Sequence, residues 1–164
     1  MERVLMNFLE NPEAYKEIVL PASSKERLET AVITTLHHMK CKELVELSLV
    51  LTSNEEIQHL NREYLGYDKP TDVLSFPAGE PIPGLPEEAS HYLGDIIIAV
   101  PYAAVQAAKA GHSLLDELQL LTIHGVLHLL GMDHLEPEEK AKMWAAQTAV
   151  LHTLGIAHVT PTEE

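Results

Sequence analysis

The chain has 164 residues, 46% of them hydrophobic and 22% charged, a composition that fits one globular domain with a buried core and excludes a disordered or low-complexity polymer. Its single cysteine, Cys41, excludes an internal disulfide, and its longest apolar run, Ile96 to Val105, is too short for a bilayer and contains Pro101, so with no secretory pattern at the start a soluble, cytosolic protein is expected. The formal net charge of −14 argues against broad, tight binding to nucleic acid, whose phosphates call for lysine and arginine.

Arg3 to Leu20 has no clean period and reads as either a weak strand or a helix. Ser23-Ser-Lys-Glu26 has the form of a capping box, and Leu28, Ala31, Val32, Thr35, Leu36 and Met39 follow at helical spacing, so a helix is expected from Ser24 to Lys40. Val45, Leu47, Leu49 and Leu51 alternate with polar residues, as in a strand with one buried face. Ser53 then caps a second helix carrying Ile57, Leu60 and Tyr64.

Val73 to Phe76 and Asp95 to Val100 read as strands. Between them Pro77 to Tyr92 holds four prolines and two glycines, and a loop of that length either lines a substrate groove, with His91 at its end, or simply crosses the surface. Pro101 to Ala110 is an alanine-rich helix. Ser113-Leu-Leu-Asp116 caps an apolar helix with Leu114, Leu118, Leu121, Val126 and Leu129, which belongs at the centre of the fold. Pro137 and Gly155 bracket the last helix, packed through Met143, Ala146, Val150 and Leu154. A few strands and about five helices without regular alternation make an α+β domain, with a small mixed sheet against the helices and residues 1–164 forming one unit.

The apolar helix carries the chemistry. His124 and His128 are four residues apart, so they lie on one face and can share an ion. On a straight helix His134 would stand roughly 9 Å further along and about 120° round. Gly131 resolves this, since a glycine past the last turn can adopt the left-handed conformation that ends the helix and turns the chain back. Three neutral nitrogen ligands with an open position for water describe a catalytic zinc, one ion per chain, although imidazole also accepts nickel, copper or iron. The alternative is a set of helix-face histidines with satisfied hydrogen bonds. Gly125 stands where zinc peptidases of the His-Glu-x-x-His type carry their general base, so metal-assisted hydrolysis has to proceed without that glutamate.

The segment His124-Gly-Val-Leu-His128-Leu-Leu-Gly131-Met-Asp-His134 resembles the signature of the YbeY family of bacterial metal-dependent single-strand endoribonucleases. Leu60-Asn-Arg-Glu-Tyr64 with Asp68-Lys-Pro-Thr-Asp72-Val-Leu-Ser-Phe-Pro77 resembles that family's second motif, and Leu93-Gly-Asp-Ile-Ile-Ile98 its third; the likeness runs from about Leu44 to Gly155. The resemblance implies a zincin-like domain with a central metal-binding helix, zinc on His124, His128 and His134, and maturation of the 3′ end of 16S rRNA with a part in ribosome quality control. It also implies single-stranded RNA and the ribosome or its small subunit as partners, with neither DNA nor membrane. The family commonly carries an arginine where this chain has Leu65, and an aromatic residue where it has Met132. Arg62, one helical turn before Leu65, has a side chain long enough to reach the same region.

In this reading a zinc-activated water attacks a phosphodiester. His124, Asp133 and Arg62 are the candidate catalytic residues, Asp133 as an orienting group beside the ligands or else only a turn residue. Asp72 and Asp95 are either groups that support the metal ligands or turn caps, and standing beside strand starts they read as structural. Thr71, Ser75 and Phe76 lie on the strand facing the metal, where backbone could pair with an extended substrate and Phe76 either stacks on a base or packs in the core. Basic residues concentrate on the first long helix, and with Arg62 and Lys69 they form either a rail for RNA or a plain solvated face. Two rivals stand beside the nuclease: a metallopeptidase taking its base from outside the helix, and a non-catalytic ribosome-assembly factor with a structural metal, favoured by the acidity and by Leu65.

Overall fold

A computed structural model describes residues 4–79 and 91–160. Four strands form one mixed sheet: β1 (Val4–Glu10), β2 (Val45–Thr52), β3 (Val73–Pro77) and β4 (His91–Ala99), in the order β1-β2-β4-β3. β1, β2 and β4 are parallel, and β3 runs antiparallel to β4 at the edge. Five α-helices complete the described part: α1 (Ser24–His38), α2 (Asn54–Leu65), α3 (Val100–Ala110), α4 (Leu114–Leu129) and α5 (Pro137–Thr153). None of these helices is long and apolar enough to cross a membrane.

The period-two alternation of strands divides the core between the two faces of the sheet. Leu47, Leu49 and Leu51 of β2 with Ile96 and Ile98 of β4 pack against Leu28 and Val32 of α1 and Leu118, Leu121 and Val126 of α4. Ile97 and Ala99 face the other way and join Ile57 of α2 and Leu74 of β3. α5 lies outside α4 and α1, closing a second apolar layer through Ile123, Leu127, Met143 and Val150. The apolar helix of the sequence reading is thus α4, covered on both sides, with its mid-helix positions almost wholly buried.

Several local readings are refined. The segment without a clear period contains the edge strand β1 and a single 3-10 turn, Pro12–Tyr15. Ser23 makes no side-chain cap; instead Ser24 Oγ donates to the Pro21 carbonyl at 2.7 Å. α1 ends at His38, two residues short of the expected Lys40. Tyr64 is 70% exposed, because the inner face of α2 is made by Ile57 and by Asn61, whose Nδ2 donates to the Lys69 carbonyl and fastens the segment leading to β3. β4 begins at His91, so Tyr92 and His91 belong to the strand. The middle of the proline-rich loop, 80–90, lies outside the described residues.

Candidate metal centre

α4 ends in a Schellman motif that decides where the third histidine goes. Gly131 takes φ +98, its N–H donates to the His128 carbonyl at 3.0 Å, and the Met132 N–H donates to the Leu127 carbonyl at 3.0 Å. The next turn is set by Asp133, whose Oδ1 accepts the His134 N–H at 2.7 Å. His134 arrives beside the helical pair with ring centroids 5.4 Å from His124 and 5.2 Å from His128. One ligand nitrogen from each of the three rings falls within 4.8 Å of the others, as the spacing and the glycine lead one to expect.

The hydrogen bonds of the rings fix their tautomers. His128 Nδ1 donates to the Met132 carbonyl at 2.9 Å, and His124 Nδ1 donates to Gln147 Oε1 at 2.5 Å. With protons committed to both Nδ1 atoms, both Nε2 atoms carry lone pairs. Yet these Nε2 atoms are only 2.9 Å apart. Two acceptors at that distance repel unless a cation lies between them, which is the arrangement a divalent ion requires. Burial, followed by the neighbouring charge of His128, pushes His124 down to about 4. Burial also lowers His128, with the charge of His134 the next cause. Both rings are therefore neutral at pH 7 and able to ligate without first losing a proton.

The centre opens into a cleft of about 500 Å³. β3 supplies Ser75 to its wall and the segment leading into β3 supplies Thr71, with Ser75 Oγ donating to the Gly125 carbonyl at 3.5 Å. α5 supplies Lys140, Trp144 and Gln147. The indole of Trp144 stands nearly perpendicular to His124 and His134, with centroids 5.9 and 5.7 Å away. Gln147 is 1% exposed and its Nε2 has no partner among the described residues. Glu117, two turns before His124 on α4, is wholly buried and receives His112 Nε2 at 2.5 Å. Burial raises its carboxyl against the opposing effect of His112. Asp72 is raised by burial too, while its Oδ1 accepts the Val73 N–H at 2.7 Å, which is the strand-start role expected of it.

Other anticipated residues lie elsewhere. Arg62 sits on the exposed side of α2, with its guanidinium 3.4 Å from Glu63, 3.7 Å from Asp68 and 3.0 Å from His59 Nδ1, and it does not line the cleft. Lys69 is poised over Tyr67. Phe76 turns from the cleft to pack edge-on against Tyr64 beneath α2. Asp95 lies in the middle of β4 rather than at its start, where it accepts from the Tyr92 hydroxyl, which also bonds Ser48, and His91 pairs with Glu43. Sequence reasoning passed over Gln147, Trp144, Lys140 and Glu117. The signal for Gln147 was a polar residue within the apolar stripe Met143, Ala146, Val150.

The chain is similar to several known proteins. The sequence profile described as Endoribonuclease YbeY matches residues 10–155. An Endoribonuclease YbeY of Mycobacterium sp. (strain KMS) is 44% identical over 128 residues, covering 76% of this chain and 72% of that protein. The Brevibacillus brevis protein of the same description is 51% identical over 114 residues, covering 64% and 72%. Among solved structures, that of TM1509 from Thermotoga maritima superposes with a TM-score of 0.57 at 28% identity, over 92% of this chain and 89% of the other.

Proposed function

The chain belongs to the YbeY family of endoribonucleases, and from that premise we propose that it is a zinc-dependent hydrolase cutting single-stranded RNA at the three-histidine centre. The observation that carries this reading is the facing pair of Nε2 lone pairs on His124 and His128, with His134 brought up beside them. His124, His128 and His134 would hold a divalent ion, which would supply Lewis acidity toward water and a phosphoryl oxygen. The chain's own residues do the rest: Gln147 and the Met132 carbonyl hold the rings in register, and Asp133 fixes the turn that delivers His134. Arg62, on the exposed side of α2 and not part of the cleft lining, is assigned to holding RNA outside the cleft rather than to the reacting phosphate.

By resemblance to its family the protein acts in the cytoplasm on rRNA precursors, at the 3′ end of 16S rRNA, in contact with the small subunit and in ribosome quality control. It works as one domain of residues 1–164 and uses neither DNA nor membrane. Zinc is the metal assigned because three imidazoles and an open position are its usual catalytic set. The metallopeptidase reading draws on β3, an edge strand beside the centre that suits an extended peptide. Against it, Glu117 is committed to His112 two helical turns away, and Gly125 cannot be replaced by a glutamate without displacing Ile96.

The test is to incubate the zinc-loaded chain and its His128→Ala variant with single-stranded RNA and with a casein-like peptide. Breakdown of RNA alone, abolished by the substitution, is expected. Breakdown of the peptide alone would establish the rival, and RNA breakdown indifferent to the substitution would remove the centre from the reaction.

A further inference from the structure

Trp144 is the only tryptophan of the chain, and it stands at the metal centre. It packs in part against the apolar layer between α5 and α4 and is otherwise exposed to the cleft. One helical turn earlier Lys140 lines the same cleft, with Nζ 5.3 Å from the indole centroid. Lys140 is also the one lysine or arginine among the described residues lining that cleft, where the acidic chain supplies Asp72, Glu117 and Asp133. An aromatic ring with an ammonium over it, next to a hydrolytic centre, offers partners to both parts of a nucleotide, because a base stacks on an aromatic ring and a phosphate seeks a cation.

We propose that Trp144 and Lys140 form a nucleotide subsite on α5, the indole receiving one unstacked base and the lysine the phosphate next to it. The inference rests on the RNA-cleaving reading and adds to it a reason for single-strand preference. In a duplex the base faces are covered by their neighbours, so only an unpaired strand can offer a base to the indole. The subsite also eases the conflict between RNA binding and a charge of −14, since stacking holds a base without drawing on net charge. The contrary role for Trp144 is a wall that only steadies the imidazoles of His124 and His134.

Being the sole tryptophan makes the test direct. The zinc-loaded chain is titrated with a short, non-cleavable single-stranded RNA; anisotropy of a labelled copy reports binding, and indole emission with an unlabelled copy reports stacking. Saturable quenching with the same midpoint as the anisotropy is expected, and it should vanish with an abasic oligonucleotide. Trp144→Leu should weaken binding about 10-fold at unchanged zinc content, with Trp144→Phe recovering most of the loss. Lys140→Gln should flatten the dependence of log affinity on log salt by about 0.7. Binding by anisotropy with unaltered indole emission, or undiminished binding by zinc-loaded Trp144→Leu, overturns the subsite and leaves the nuclease reading standing. No binding by anisotropy overturns both.

Discussion

Gly125 of α4 lies against Ile96 of β4 so closely that a Cβ added to the glycine would sit 2.7 Å from Ile96 Cγ2. The helix that carries the metal ligands is therefore seated directly on the central part of the sheet, and the position that holds a catalytic glutamate in other zinc helices is filled here by a strand side chain. Gly125→Ala should destabilise the chain by about 1 kcal/mol, an overpacking cost of roughly 1–3 kcal/mol set against about 1 kcal/mol of helix propensity gained. Urea unfolding of the single variant, of Ile96→Ala and of the double variant should reveal coupling, the double being more stable than the two separate losses imply.

Gln147 should matter to the metal more than to the fold. Its Oε1 is what commits the His124 proton to Nδ1. Gln147→Leu is expected to lower zinc affinity about 10- to 100-fold, as loss of an outer hydrogen bond to a ligand histidine commonly does, whereas Gln147→Glu keeps the accepting oxygen and should lose much less. Competition with a chromogenic chelator measures both.

Glu117 and Asp72 give the stability a pH dependence of definite sign. Both carboxyls are raised by burial, so the folded chain keeps protons that the unfolded chain releases, and their contribution is full below the ordinary carboxylate range and is lost as pH rises through the folded values. In the metal-free chain His124, lowered from 6.5 to about 4, acts the other way: its contribution is full above pH 6.5 and is lost on acidification, on the order of 3 kcal/mol across that window. Glu117→Gln should remove the Glu117 share of the first effect, leave that of Asp72, and spare the second. Chemical denaturation across pH should show the variant gaining on the wild type as pH rises, and parallel curves would contradict the assignment.

What could be read in the sequence was local. His124, His128, Gly131 and His134 are placed by helix geometry and one helix-ending motif, all within eleven consecutive residues, so no distant contact had to be known. The starts of α2, α4 and α5 followed from Ser53, Ser113 and Pro137 for the same reason. β1 did not, because Val4, Leu5, Met6, Phe8 and Leu9 put apolar side chains on both faces of an edge strand, and only pairing with β2, some forty residues away, makes a strand of them. The α5 contribution was largely hidden likewise: Trp144, Lys140 and Gln147 reach the centre through the packing of α5 on α4, and only Gln147, a polar residue within an apolar stripe, is marked by the period of α5. Arg62 illustrates the reverse case, a residue near in the motif that does not line the cleft, since on the outer face of α2 it pairs with Asp68.

Isothermal titration of the metal-free chain with zinc tests the central claim most directly. One ion per chain should bind to the wild type, and His128→Ala, with its far-ultraviolet spectrum unchanged, should bind at least 100-fold more weakly, as loss of one of three ligands requires. A wild type that takes up no zinc or other transition metal, or a His128→Ala variant that binds as tightly as the wild type, would contradict it.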